Sequence, residues 1–167
     1  LRDINYSGNN DDYERKLINA VCKKIETYIQ QISPTNIVYI SFDGVAPVAK
    51  LNQQKNRRYK SWFIQQYEPR TIPSWDSTAI TPGTEFMNKL NLQIKYHFRT
   101  PIPYKVKKIV VSGSDIPGEG EHKVFEYIRD HSEIKDQKTV IYGLDADLIM
   151  LTINNLSYCK NMYLFRE

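Results

Sequence analysis

Five carboxylates in this chain stand just beyond short apolar runs, in a pattern suited to holding cations. Asp43 directly follows the run 37–42, Glu119 and Glu121 come shortly after the run 108–112, and Asp145 and Asp147 come just after 139–143. If each run is a buried parallel strand, the acids project from the carboxyl ends of neighbouring strands, where open α/β sheets place their ligands. Crowded carboxylates repel one another unless cations sit among them. Oxygen donors without His or Cys suit Mg²⁺ or Mn²⁺, and a pair of such ions about 4 Å apart is an arrangement for displacement at phosphorus. The plainer alternative is that each acid caps a helix N-terminus, a frequent role for Asp and Glu after a strand. For one acid taken alone, capping is the expectation. For acids after three successive runs, four of them in E-x-E and D-x-D pairs, the expectation is metal.

A second group is basic. Lys50, Gln54, Arg57 and Arg58 fall at i, i+4, i+7 and i+8, which on a helix puts all four on one face. Two guanidiniums, an ammonium and an amide converging there make a receptor for a terminal phosphate, which carries more charge than an internal phosphodiester and accepts bidentate contacts. Five basic residues and no acid lie from Lys50 to Lys60. A basic run can also be a solvated face, and Lys55 and Lys60, off the shared face, fit that role. A phosphate pocket beside a metal cluster describes an enzyme that holds a nucleic-acid end and cuts at a fixed distance from it.

These groups need elements to hold them. Residues 11–32 carry Leu17, Ile18, Val21, Cys22, Ile25, Tyr28, Ile29 and Ile32 at helical spacing, an amphipathic helix that Ser33-Pro34 ends. The run 37–42 reads as a buried strand, 46–66 as a helix followed by a proline-containing loop, and Thr81 as the N-cap of a further helix with Pro82 in its first position. Then come a strand at 108–112, a helix at 119–130, a strand at 139–143 and a fourth strand at 162–165. Strands alternating with helices predict a three-layer α/β fold with a mainly parallel sheet and helices on both faces. The 167 residues, 41% hydrophobic and 25% charged with a net charge of +4, exclude wholesale disorder and fit one folded unit. No run of about eighteen apolar residues occurs, so no transmembrane helix and no membrane partner is expected. Cys22 and Cys159 are too few for a disulfide framework or a Cys-based zinc site and read as core thiols.

At these residues the chain resembles the N-terminal catalytic region of the Xrn 5′-to-3′ exoribonucleases. Four blocks carry the likeness. They are Phe42-Asp43-Gly44-Val45-Ala46-Pro47 continuing through Lys50, Gln54 and Arg57-Arg58; Ile80-Thr81-Pro82-Gly83-Thr84-Glu85-Phe86-Met87; Ser112 through Lys123, with Gly118-Glu119-Gly120-Glu121-His122; and Gly143-Leu144-Asp145-Ala146-Asp147-Leu148 through Leu151. The resemblance implies a PIN-like, flap-nuclease-like fold, with residues 1–167 a single segment of the nuclease domain. It implies that Asp43, Glu119, Glu121, Asp145 and Asp147 bind the catalytic divalent metal, two ions of Mg²⁺ or Mn²⁺, and that Lys50, Gln54, Arg57 and Arg58 hold the 5′-monophosphate of single-stranded RNA. The family begins with a strand bearing a further metal-binding Asp and has another acid downstream, so the chain is expected to be an excerpt. Val48, where a basic residue is usual, and a short segment between Arg58 and Thr81 point to a divergent member.

The expected activity is therefore metal-dependent 5′-to-3′ degradation of 5′-monophosphorylated RNA to mononucleotides, in the cell and in the cytoplasm rather than the nucleus. Two rivals are a structure-specific 5′ flap-type DNA nuclease and a non-catalytic RNA-binding module. His122, next to Glu121, is expected to pack or orient rather than act as a base. Asp115 is expected to be a loop or capping residue, and Tyr59, Trp62 and Trp75 are expected to be core or interface aromatics rather than base-stacking platforms.

Overall fold

The computed structural model of the chain describes residues 4–67 and 74–166. Asn9 opens α1 (Asn10–Ile32): its side chain accepts the Asp12 N–H at 3.0 Å, and Asp11 and Asp12 place negative charge at the positive end of the helix dipole. Leu17, Ile18, Cys22 and Ile29 form its buried stripe, and Ser33, at a φ of 50°, turns the chain out of the helix. β1 (Ile37–Ser41) follows, then α2 (Val48–Tyr67), whose first turn closes on the Pro47 carbonyl through the N–H groups of Lys50 and Leu51. Of the loop expected between α2 and Thr81, residues 68–73, which hold its prolines, lie outside the described ones.

One predicted boundary is corrected. α3 (Glu85–His97) is capped by Thr84, not Thr81: the Thr84 hydroxyl accepts the Met87 N–H at 3.3 Å. Gly83, at a φ of 90°, separates Thr81 and Pro82 from the helix. Thr81 instead donates to the Thr78 carbonyl at 2.7 Å, closing the short 3₁₀ turn Ser77–Ala79 against the chain that follows.

The remaining elements are β2 (Lys108–Ser112), α4 (Gly120–Asp130), β3 (Lys138–Tyr142), α5 (Asp147–Asn154) and β4 (Asn161–Phe165). β1 pairs parallel with β2, from Ile37 opposite Lys108 to Ser41 opposite Ser112, and β3 pairs parallel with β4, from Lys138 opposite Asn161 to Tyr142 opposite Phe165. The protein is thus a mixed α/β structure with parallel strands. In place of the one continuous sheet that alternation predicts, the described strands form two separate two-stranded sheets. Alternation dictates parallel pairing but says nothing about which strands approach to ladder distance.

Each sheet has its own core. Ile40 of β1 packs with Leu17, Ile18, Cys22 and Ile29 of α1 and with Phe86, Met87, Leu90 and Ile94 of α3. Ile141 of β3 packs with Phe125 and Ile128 of α4, Leu148 of α5, and Ile134 and Cys159. Each large apolar side chain so buried contributes roughly 1.5–3 kcal/mol. α4 serves both halves: Phe125 and Ile128 lie in the second core, while Tyr127 sets its ring 4.6 Å from that of Tyr39 on β1. Ahead of the strands, Asn36 donates to Gln137 at 2.9 Å; at the far end of β3, the ring of Tyr142 lies 4.0 Å from that of Tyr28 on α1. Among the described residues no helix is long and apolar enough to cross a membrane.

Candidate metal and phosphate site

Because β1 and β2 end level, the loops that follow them leave the sheet side by side. They are laced by backbone: the Gly44 N–H donates to the Gly118 carbonyl at 2.8 Å, and the Gly118 N–H donates to the Val45 carbonyl at 3.1 Å. Gly44 must lack a side chain, since a Cβ there would stand 1.8 Å from the Ile116 carbonyl oxygen. Gly118 takes a φ of 100°, which L side chains rarely adopt.

This lacing brings Asp43 to the start of α4. Asp43 Oδ1 accepts the Gly120 N–H at 2.7 Å, and Ser41 Oγ donates to the Gly120 carbonyl at 2.9 Å. Asp43 therefore does perform the capping job, on a helix that begins 77 residues later. Glu119, which sits at the N-cap position of α4, makes no capping bond and instead takes the ammonium of Lys50 from α2. Glu121 lies in the first turn of α4. From the second sheet, Asp145 Oδ1 accepts the Asp147 N–H at 3.1 Å, so Asp145 organises the entry to α5.

Asp43, Glu119, Glu121 and Asp145 line a single cleft of about 390 Å³ together with Lys50, Gln54 and Arg57. Val124, Ile141 and Leu148 supply part of its apolar wall. Two predicted residues stand outside the lining. Asp147 is the exposed first residue of α5, and Arg58 reaches the Thr81 hydroxyl at 3.3 Å. Burial pushes the Glu121 carboxyl above its ordinary value, and the charges of Asp145 and Glu119 push it further. The Lys50 ammonium is held protonated first by its hydrogen bond to Glu119 and then by the charges of Glu119, Glu121 and Asp43. A like-charged cluster, half-buried at Glu119 and Glu121 and exposed at Asp43 and Asp145, that has drawn an ammonium to itself fits a hard divalent cation. Glu119, Glu121 and His122 offer ligand atoms within 4.8 Å of one another. His122 is exposed, so of the two roles expected for it the packing one does not hold.

The model for the XRN 5′-3′ exonuclease N-terminus matches residues 3–167. The chain belongs to that family. It is 40% identical to "5'-3' exoribonuclease 1" of Saccharomyces cerevisiae over 88% of its own length and 11% of that protein. It is 36% identical to "5'-3' exoribonuclease 2" of Schizosaccharomyces pombe, covering 83% of the chain and 17% of the relative, and 36% identical to "5'-3' exoribonuclease 1" of Homo sapiens, covering 91% and 10%. This XRN segment thus spans about a tenth to a sixth of the length of those relatives.

Within the XRN segment, sequence reading passed over Lys123. It is buried, and its ammonium donates to the Phe42 and Gly113 carbonyls, each at 2.9 Å. Burial lowers its pKa, opposed by the charges of Asp43 and Asp115. The available signal was a lysine one turn beyond Gly120 on a helix whose other buried positions, Phe125 and Ile128, are apolar. Asp115, expected to be a loop or capping residue, lies in the β2–α4 loop and pairs with Lys95 at 2.7 Å. Trp75 is half-buried with its ring 5.0 Å from that of Phe86, whereas Tyr59 and Trp62 lie exposed along α2, their rings 5.6 Å apart.

Proposed function

We propose that this segment is the catalytic part of a 5′-to-3′ exoribonuclease that degrades 5′-monophosphorylated single-stranded RNA to mononucleotides with Mg²⁺ or Mn²⁺. The observation that carries the reading is that one cleft is lined by both groups, the acids Asp43, Glu119, Glu121 and Asp145 and the phosphate-binding candidates Lys50, Gln54 and Arg57. The names of the relatives support the direction and the RNA substrate. Two divalent ions, when bound, supply charge for the phosphorus centre and lower the pKa of the attacking water.

The chain's own residues do the rest. Arg57 and Gln54 bind the terminal phosphate by charge and hydrogen bonding, and Arg58 and Asp147, which stand outside the lining, join the two sets on the strength of the family resemblance. Lys50, already in contact with Glu119, stands where the phosphate pocket meets the acids. The phosphodiester beside the held end is therefore the one presented for cleavage, so each turnover removes one nucleotide. A 5′ cap or triphosphate is too large for such a pocket. The joint cover of both sheets by α4, and the Asn36–Gln137 link ahead of β1 and β3, support a three-layer, PIN-like arrangement in which the two sheets belong to one layer.

The test compares decay of 5′-monophosphate and 5′-hydroxyl RNA by the full-length protein with Mg²⁺, for wild type and Asp145→Ala, with a 5′-flapped DNA alongside. The expected result is fast decay of the phosphorylated RNA alone and a loss of about 10²–10³-fold in the variant. Equal decay of the two RNAs sinks the phosphate pocket, full activity of the variant sinks the metal site, and cleavage of the flap in preference to RNA turns the reading to a DNA nuclease.

A further inference from the structure

We propose that Lys123 is a positioning residue for the carboxylate cluster: its ammonium, donating to the Phe42 and Gly113 carbonyls, sets where Glu119 and Glu121 stand relative to Asp43. The inference rests on the reading of those acids as cation ligands.

Lysine is almost never fully buried unless its charge is matched, yet Lys123 is only 4% exposed. Its hydrogen bonds go to main-chain carbonyls rather than to a carboxylate. Those carbonyls occupy a special place. Phe42, whose N–H still donates to the Ser112 carbonyl of β2, immediately precedes Asp43, and Gly113 is the first residue past β2. Both lie where the ladder between the strands runs out; the Gly113 carbonyl also accepts the Ile116 N–H at 3.2 Å, whereas the Phe42 carbonyl takes its donor from Lys123. Lys123 provides one ammonium for the two, and so joins the end of each strand to α4.

On the helix side the connection to the acids is short. The Lys123 N–H donates to the Glu119 carbonyl at 3.1 Å, which closes the first turn of α4, and Glu121 lies two residues back on the same turn. The ammonium therefore links the residue before Asp43 to the turn that carries Glu119 and Glu121. Its contacts complement the Asp43–Gly120 hydrogen bond, which ties the same two pieces from the other side. Its positive charge also acts on Asp43, one member of the cluster, and offsets part of the repulsion there. An apolar residue of the same length would fill the space but leave the Phe42 carbonyl without its donor, leave Gly113 with the Ile116 N–H alone, and untie α4 from the strand ends. Outer partners of this kind carry much of a metal site's affinity by holding ligands at the right spacing.

The experiment measures Mn²⁺ binding to the full-length protein by electron paramagnetic resonance, with the Glu119→Gln/Glu121→Gln double variant as the blank. Lys123→Met is compared with wild type and with Ile128→Ala, a change on the same helix that opens the second core without touching the strand ends. Thermal melting is recorded for each, and binding is read where all are folded. The expected result is a loss of Mn²⁺ affinity of about 10–100-fold in Lys123→Met, with Ile128→Ala staying within about twofold of wild type at comparable loss of melting temperature. Lys123→Gln, which keeps one of the two donations, is read in the same way if the Met variant does not fold. Wild-type affinity in the Lys123 variants, or an equal loss in Ile128→Ala, overturns the positioning role while leaving the metal reading intact. If wild type binds no more Mn²⁺ than the blank, the metal reading itself fails and the positioning role falls with it.

Discussion

The seam between α1 and α3 and the cleft at the strand ends both gather carboxylates near an amine, and they do opposite things with the charge. In the seam, Lys89 Nζ stands 3.1 Å from each of Asp11, Glu14 and Glu85, with the side chains of Asp11 and Glu85 87% and 84% exposed. The acids surround their own lysine and water screens the remainder. Farther along α1, Glu26 is held below its ordinary carboxyl value, first by the His97 imidazole at 2.8 Å and then by the Tyr104 hydroxyl at 3.0 Å. In the cleft, the Glu119 side chain is only 11% exposed and Lys50 contacts it from α2, but Glu121 is pushed above its ordinary value by burial and by neighbouring acids. An acid count alone does not mark a cation site. The cleft differs in that its acids outnumber the one ammonium in contact with them, and that Asp43 and Asp145 are held by backbone N–H groups.

The sharpest way to break this contrast is Gly44→Ala. Because its Cβ would fall 1.8 Å from the Ile116 carbonyl, the change should cost about 2–4 kcal/mol and abolish cation binding. Urea unfolding and Mn²⁺ titration of the full-length protein would measure both, and a loss under about 0.5 kcal/mol would mean that the lacing does not hold the site.

A smaller effect distinguishes the two kinds of carboxylate by pH. Glu26 has a depressed folded pKa, so its contribution to stability is complete above its ordinary value near 4.5 and is lost as pH falls through the lower folded value. Glu26→Gln should melt lower than wild type at neutral pH, and the gap should close in acid. Glu121 has a raised folded pKa, so its ionised form weakens the metal-free fold above that value. In chelator at pH 7, Glu121→Gln should melt about 1–3 °C higher than wild type, and added Mn²⁺ should cancel that advantage by stabilising wild type alone. Melting curves with the two variants shifted in the same direction at pH 7 would contradict the contrast.

The smallest effect belongs to the seam. Lys89→Met should move the melting temperature by no more than about 2 °C and leave RNA decay unchanged, as expected of an exposed ion-pair cluster. A loss of decay comparable to Asp145→Ala would place the seam in the functional machinery.

Much of the site was legible because its signals are local. A strand followed at once by an acid, and basic residues at helical spacing, survive any uncertainty about the fold, and they brought Asp43, Glu119, Glu121, Asp145, Lys50, Gln54 and Arg57 to notice. Local signals also misled. Thr81-Pro82 has the form of a helix start, but the Thr84 hydroxyl captures the Met87 N–H after the turn at Gly83. Lys123 escaped because its partners are backbone carbonyls 81 and 10 residues away, which carry no side-chain signature. The two-sheet pairing escaped for a related reason: β-branched runs specify strands, and only their mutual approach specifies ladders.

What this chain determines by sequence alone is whatever depends on neighbours a turn or a strand away. The capped and striped α1, the four apolar strands, the basic face of α2 and the acids beyond the strands follow from side-chain periodicity and backbone preference, which act within a few residues. The tertiary structure decided which partner each of those acids takes at the cleft. It gave Asp43 the Gly120 N–H, gave Glu119 the Lys50 ammonium, and set the charge of Lys123 behind the strand ends. Those outcomes depend on desolvation and on hydrogen bonds between segments about 70 to 80 residues apart, which exist only once the chain has closed on itself.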